Sequence, residues 1–213
     1  MIITKQKSFD ELLRLVQQGP VFLVGCSECA TLCHTGGEEE VKLLKQRFEE
    51  RHIPVTGWVI LDPACHLQNN KRLLKSHQAA LAKSKKIVVL ACGNGVQTCA
   101  ELFEDKDVVP GTDTLFLGEI QRATEFEKRC LLCGECLLEF FDGVCPVARC
   151  PKMMLNGPCS GTRGGKCEVD PELECVWVVV YDRLKKKHQT SRLQEIQRPK
   201  DWSKSLERKR RLP

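Results

Sequence analysis

The sequence predicts an α/β fold, with an open and mostly parallel sheet flanked by helices, followed by a small cysteine-rich metal-cluster domain with little regular structure. Two observations lead to this prediction. Short apolar runs alternate with amphipathic segments over residues 1–118, which is typical of a parallel sheet with right-handed crossovers. Beyond residue 119 the chain is rich in glycine, proline and cysteine, and eight of the 14 cysteines lie between Cys130 and Cys175.

The first elements follow from local signals in the chain. Ser8-Phe-Asp-Glu11 is a capping box that begins a helix, and Gly19-Pro20 ends it. The apolar run 21–24 is bounded by turn residues and predicts a buried strand. The same alternation predicts the elements that follow: a helix over 38–52, a strand over 55–61, a helix over 68–83, a strand over 87–90, a helix over 95–103 and a strand over 114–117.

The later part of the chain follows a different pattern. A helix over 119–128 is expected to lead into the cysteine-rich stretch, which has little apolar content and would draw its folding energy from metal binding. A further helix is expected over 176–184, because its valines recur at helical spacing and the lysines that follow suit a helix C-terminus. We therefore expect an α/β domain over 1–118, a cluster-binding domain over 119–190 and a basic tail over 191–213.

The composition indicates a cytoplasmic protein. No apolar run approaches the roughly 18–20 residues that span a bilayer, and the N-terminus has no apolar signal segment. Thiols in a reducing compartment stay free to bind metals, so we expect metal ligation. The even number of cysteines leaves disulfides as the alternative.

Basic residues near the C-terminus supply much of the net charge of +5. They cluster at Lys185–Lys187 and Arg208–Arg211, and such runs can contact phosphate backbones. Only Trp202 adds an aromatic side chain to the tail for base stacking. We therefore expect a solvated tail that docks on a protein partner, and no nucleic-acid binding.

The strongest motif is the triplet Cys130-Leu-Leu-Cys133-Gly-Glu-Cys136. Three thiols at this spacing can ligate one face of a cubane cluster, and a later Cys-Pro supplies the fourth ligand in bacterial ferredoxins. Cys145-Pro146 matches that fourth ligand, although eight residues separate it from the triplet instead of the usual three. The pattern predicts a [4Fe-4S] cluster in preference to zinc, because zinc sites typically use paired knuckles.

The remaining cysteines of the second domain leave two alternatives open. They are separated by seven or eight residues, and thiolates suit both iron–sulfur clusters and zinc. They would hold a second cluster or a structural zinc ion. This set consists of Cys150, Cys159, Cys167 and Cys175.

A second group of thiols follows the strands of the first domain. Cys26, Cys65 and Cys92 each come directly after a predicted strand, and the carboxyl ends of parallel strands form the crevice where ligands bind. Cys29 and Cys33 extend the first of these loops. Five candidates for four positions leave Cys29 ambiguous as a ligand.

Three other side chains in this domain have alternative interpretations. His34 and His66 adjoin ligand candidates and would act as outer hydrogen-bond partners or alternative ligands. Cys99 lies within a predicted helix, where a buried thiol that packs as a small hydrophobe is as plausible as a ligand.

Several strings resemble a known family. They run from Arg129 to Cys136, from Gly143 to Lys152 and from Leu155 to Gly161, continue with Gly165-Lys-Cys-Glu-Val169 and Cys175-Val-Trp177, and end with Tyr181-Asp-Arg-Leu184. Together they resemble the methylenetetrahydrofolate reductase C-terminal domain family. The first half, from Val24 to Glu40, is similar to the small subunit of that reductase in anaerobes. The resemblance extends to about Asp201.

The resemblance implies an iron–sulfur subunit, with zinc as a further metal, that partners a flavin-bearing reductase of methylenetetrahydrofolate. By the same resemblance, Cys130, Cys133, Cys136 and Cys145 are cluster ligands, and the first-domain thiols hold a second redox or structural centre. Folate and flavin would bind to the partner. The expected role is a non-catalytic relay of electrons from an upstream donor protein to the partner flavin. The alternative is a zinc-stabilised scaffold subunit with no redox role.

Overall fold

The computed structural model describes residues 1–16 and 19–206. They form two compact units. The first contains Met1–Phe116 and Arg122–Thr124, and the second contains Leu117–Gln121 and the chain from Glu125 onward. The basic run Arg208–Arg211 of the predicted tail lies outside the described residues.

The first unit is built around a parallel sheet. The strands of the unit are β1 (Ile2–Gln6), β2 (Val21–Cys26), β3 (Val55–Leu61), β4 (Lys86–Leu90), β5 (Asp107–Pro110) and the beginning of β6 (Thr112–Arg122). Its helices are α1 (Phe9–Val16), α2 (Cys29–Leu32), α3 (Glu38–Glu50), α4 (Leu67–Leu73), α5 (Gln78–Lys83) and α6 (Gly93–Leu102), with a 3₁₀ turn at Leu74–His77. Four strands pair in parallel in the order β3-β2-β4-β5.

Burial on both faces explains why β2 is apolar throughout. All six of its residues are buried, and Val24 pairs with Val59 of β3 and with Val89 of β4. One face packs on α1 and α3, where Phe48 is fully buried, and the other packs on the helices that follow β3 and β4. Phe22 is fully buried on this second face. Each such burial contributes on the order of 1.5–3 kcal/mol.

The predicted α/β class, with a four-stranded parallel sheet and flanking helices, is confirmed, but the fourth strand was placed wrongly. It is β5, Asp107–Pro110, and not the predicted strand over 114–117. The latter residues belong to β6, which lies between β1 and β7 (Glu125–Cys130) in a separate three-stranded sheet. The strand β1 was also missed, because Met1–Lys7 contains few apolar residues although Ile3 is buried.

The predicted helix over 119–128 is wrong, because these residues form the end of β6 and most of β7. Side chains on the two strands explain the pairing. The Arg129 guanidinium donates to Glu119 Oε1 at 2.6 Å, and the Gln121 amide donates to Glu127 Oε2 at 2.9 Å. These cross-strand contacts stabilise a hairpin that helix propensity alone did not indicate.

The second unit contains two further helices, α7 (Pro146–Arg149) and α8 (Val176–Lys186), and 3₁₀ turns at Thr190–Gln194 and Trp202–Leu206. The helix expected over 176–184 is confirmed as α8, whose Trp177 and Val180 are buried with Phe141 in an apolar core. No helix in the described part of the chain is long and apolar enough to cross a membrane.

Candidate metal centres

A cavity of about 80 Å³ in the second unit is lined by all four thiols of the predicted cluster motif. Its walls are otherwise mainly apolar, with Phe141 and Val147 among them. The four thiols are those of Cys130, Cys133, Cys136 and Cys145. The eight-residue spacer before Cys145 therefore does not keep this residue away from the triplet.

The local backbone explains how the triplet wraps around the cavity. Strand β7 ends at Cys130, and the chain then turns through Leu132 and Gly134, whose φ angles are +54° and +75°. The backbone N–H of Leu132 donates to Cys130 Sγ at 3.3 Å. A leucine in the left-handed region costs about 1–2 kcal/mol, so the turn keeps a strained residue at a candidate site.

Cys145 reaches the same cavity from the N-terminus of α7, which Pro146 begins. Burial raises the pKa of the Cys145 thiol, a hydrogen bond with the Ala148 backbone opposes this, and the thiols of Cys133 and Cys130 raise it further. The thiols of Cys133 and Cys130 therefore lie close enough to Cys145 to disfavour its thiolate form. A bound metal centre would offset this effect.

Two cationic side chains, Arg129 and Lys200, also line the cavity. The guanidinium of Arg129 forms ion pairs with Glu119 at 2.6 Å and Glu127 at 2.8 Å. Its buried Nε–H has no hydrogen-bond partner among residues 1–16 and 19–206. An unsatisfied buried donor is costly, so the ion pairs with Glu119 and Glu127 hold this guanidinium in place at the expense of one hydrogen bond.

By residue type the cavity suits an iron–sulfur cluster, because four cysteines that could supply soft thiolate ligands line it together with mainly apolar side chains. Within the described ranges, however, no three or more His, Cys, Asp or Glu side chains form a group that could hold a metal ion as they are placed in this structure.

The other four cysteines of this unit divide into two pairs. Cys150 and Cys175 are buried in the apolar core beside Trp177. Cys159 lies at a more exposed position, where its Sγ is 3.5 Å from Glu168 Oε1, and Cys167 directly precedes that glutamate.

In the first unit, strand register explains why separate loops meet. Cys26 pairs with Leu61 of β3, and Gly25 pairs with Leu90 of β4, so three strands end at the same edge. Strand β3, which follows β2 in the chain, pairs with one side of β2, and β4 pairs with the other side, so the order of the strands reverses at β2. Such a switch point is where open α/β sheets bind ligands.

Four of the five predicted thiols interact at this edge. Desolvation raises the pKa of Cys65, and the neighbouring thiols of Cys92, Cys26 and Cys29 raise it further, although Cys65 as a residue is exposed. Cys33 is buried, and its Sγ lies 3.8 Å from the Ile2 carbonyl oxygen on β1. The Sγ of Cys29 also contacts β1, because it accepts from the Ile2 backbone N–H at 3.4 Å.

The loops that carry these thiols are tied together by side chains that the sequence did not single out. Ser27 Oγ donates to Asp62 Oδ1 at 2.6 Å, which joins the loops after β2 and β3. The amide of Asn70 is fully buried and donates to the Ala64 carbonyl at 2.8 Å, next to Cys65. Neither contact has a local sequence signal, because each joins positions six or more residues apart.

The two histidines that adjoin ligand candidates both make local contacts. His66 Nδ1 accepts from the Asn69 backbone N–H at 3.2 Å and caps α4. His34 Nδ1 lies 4.0 Å from Glu40 Oε1.

Cys99 is fully buried on α6, and burial, with a smaller contribution from Cys26, raises its pKa to about 12 from the ordinary value of 9.0. Because the folded pKa is the higher one, this thiol stabilises the fold fully below pH 9.0, and the contribution is lost as pH rises toward 12. We expect the loss to be about 1.4 kcal/mol per pH unit in that window.

Chemical denaturation of the wild-type chain and of Cys99→Ala, from roughly pH 8 to 11, tests this expectation. The wild-type free energy of unfolding should fall more steeply than that of the variant. Parallel curves for the two proteins would contradict it.

A comparison with known protein families found a match for part of the chain. Residues 109–203 match the family model described as methylene-tetrahydrofolate reductase C terminal. The matched range contains all eight cysteines of the second unit. No curated protein and no solved structure matches the chain. The resemblance to this family drawn from the sequence is confirmed over residues 109–203.

Proposed function

From the match of residues 109–203 to the methylene-tetrahydrofolate reductase C-terminal family, we propose that this chain is an iron–sulfur electron-transfer subunit of such a reductase. It would relay electrons from an upstream donor protein to a flavin on a partner subunit. The observation that carries the proposal is the cavity into which the four thiols of the ferredoxin-like motif converge.

When bound, a [4Fe-4S] cluster supplies one-electron transfer. The four thiolates of the cavity would ligate it, and the apolar walls would exclude water from it. The Leu132 N–H already donates to Cys130 Sγ, and such bonds stabilise the more negative, reduced state.

Anaerobic purification with measurement of iron, acid-labile sulfide and zinc tests the proposal. Roughly four iron atoms and four sulfides for each cluster are expected, with visible absorption that bleaches on reduction. Stoichiometric zinc without sulfide would instead support the zinc-stabilised scaffold subunit.

A partner is part of the same proposal. The chain should co-purify with a flavin-bearing methylenetetrahydrofolate reductase subunit. In the reconstituted complex, the partner flavin should be reduced by electrons that enter through this chain. A flavin that is reduced equally fast without this chain would contradict the relay role.

The thiols at the sheet edge would hold a second redox or structural centre. Cys26, Cys29, Cys65 and Cys92 are the four that interact there, whereas Cys33 is buried against β1. For the remaining set of the second unit, a second cluster and a structural zinc ion stay open. That set is Cys150, Cys159, Cys167 and Cys175.

Two matched serine variants separate the candidates at the sheet edge. Cys29→Ser should lower the metal content by one centre, because it removes one thiol of the interacting set. Cys33→Ser should leave the metal content unchanged, since its hydroxyl can still reach the Ile2 carbonyl. Metal analysis of the purified variants is the measurement, and the reverse order of effects would show that Cys33 is the ligand.

A further inference from the structure

The last described segment of the chain, residues 192–206, packs on the rest of the second unit. The Arg192 guanidinium donates to the Glu139 carbonyl at 2.8 Å. Farther along, the Asn156 amide donates to the Gln197 carbonyl and the Gln197 backbone N–H donates back to Asn156 Oδ1, both at 2.8 Å. These contacts lead residues 197–204, which we call the C-terminal clasp, toward the triplet.

The clasp ends on Glu135, the residue directly before Cys136 in the triplet. Lys204 Nζ forms an ion pair with Glu135 Oε1 at 2.6 Å, and Lys200 Nζ donates to the Glu135 backbone carbonyl. Gly134 is needed for this approach, because an added Cβ would lie 2.7 Å from Lys204 Cβ and 2.9 Å from its backbone. The clasp therefore contacts the triplet through two lysine side chains, and the absence of a side chain at Gly134 leaves room for Lys204.

The two lysines differ in what they bring to the cavity. Lys200 lines the cavity, and its contact with Glu135 is with a neutral carbonyl oxygen. Lys204 is not among the residues that line the cavity, and its charge is paired with the Glu135 carboxylate. The Glu135 carboxylate interacts mainly with Lys204 and more weakly with Lys200, so one negative charge faces two positive charges, and the lysine that lines the cavity is Lys200.

We propose that the clasp closes the cluster cavity and that Lys200 is a positioning residue whose charge favours the reduced cluster. This inference rests on the proposed function. Reduction adds one electron and no proton, so the cluster becomes one unit more negative, and a nearby cation lowers the energy of that state.

A redox titration of the full-length, cluster-loaded chain with dithionite tests the charge of Lys200, with the reduced fraction followed by EPR. Lys200→Met should lower the reduction equilibrium constant about tenfold, which corresponds to 59 mV for one electron. Lys200→Arg should restore the wild-type potential, because it keeps the charge. Lys186→Met, which removes an exposed lysine of the second unit that does not line the cavity, is the charge control and should leave the potential unchanged.

The closure has its own readout, the rate at which visible absorption bleaches in air. Lys204→Met, which loosens the clasp, should bleach several-fold faster than the wild type, and Asn156→Ala should do the same. An unchanged potential in Lys200→Met overturns the charge role, and unchanged bleaching in both clasp variants overturns the closure. A wild-type chain without sulfide overturns the proposed function itself, and the two failures are thus distinguishable.

Discussion

Replacing Cys133 with alanine is expected to abolish cluster binding in the second unit. The change removes the central thiol of the triplet, and the three remaining ligands of the cavity cannot complete a cubane site. Iron and acid-labile sulfide should fall by one full cluster, and the corresponding EPR signal should be lost. Elemental analysis of the anaerobically purified variant is the measurement.

The same substitution should also destabilise the second unit, since no helix or strand lies between Cys130 and Pro146. Metal binding contributes about 10–16 kcal/mol to the folding of small zinc domains, and a cluster would act on this unit in the same way. Limited proteolysis should therefore cut the variant within 131–145, where the loaded wild type resists.

Cys99→Ala is the control for this experiment. It removes a buried thiol from the first unit without changing the cavity. It should keep the iron and sulfide content of the wild type. Retention of a full cluster by Cys133→Ala would refute the ligand assignment.

Replacing Gly36 with alanine is expected to be the most damaging single change in the first unit. The added Cβ would lie 2.0 Å from the Leu90 carbonyl oxygen, which belongs to the backbone of β4 and cannot move aside like a flexible side chain. Overpacking of this kind costs about 1–3 kcal/mol or more. Because the Gly36 carbonyl accepts from the Cys26 N–H at 2.9 Å, the loop that carries Cys29 should shift as well.

Hydrogen exchange of the β2 and β4 amides measures this effect on the first unit alone. Gly93→Ala is the matched control, because its added Cβ meets only Thr114 Oγ1, at an ordinary 3.5 Å. That variant should be about as stable as the wild type, since Gly93 is the first residue of α6 and the added methyl group has room. Equal protection in the two variants would show that the loop absorbs the Gly36 clash.

Local patterns were sufficient to predict three of the four strands of the central sheet and the loops after them that carry Cys26, Cys65 and Cys92. The run 21–24 is apolar because β2 is buried on both faces, and the rule that ligands bind at strand ends placed Cys26, Cys65 and Cys92 at one edge. The helix α8 was predicted from its spacing of valines, which matches its buried face.

Pairing between distant segments accounts for what was missed. Residues 119–128 contain many helix-forming residues, but cross-strand contacts such as Arg129 with Glu119 stabilise the hairpin instead. The described part of the tail is mostly exposed, as expected, but the contacts of Lys200 and Lys204 with Glu135 of the triplet were not predicted. No periodicity in the sequence indicates that a lysine contacts a glutamate 65 or 69 residues earlier.

The left-handed turn at Leu132 has a consequence for electron exchange. It leaves the leucine side chain 63% exposed, and Cys136 is the exposed thiol among the four that line the cavity. In the proposed cluster, Cys136 would be the ligand most exposed to solvent, so an electron would leave and dioxygen would approach at this residue. A redox partner whose apolar surface covers Leu132 would exclude dioxygen from Cys136 while it accepts the electron.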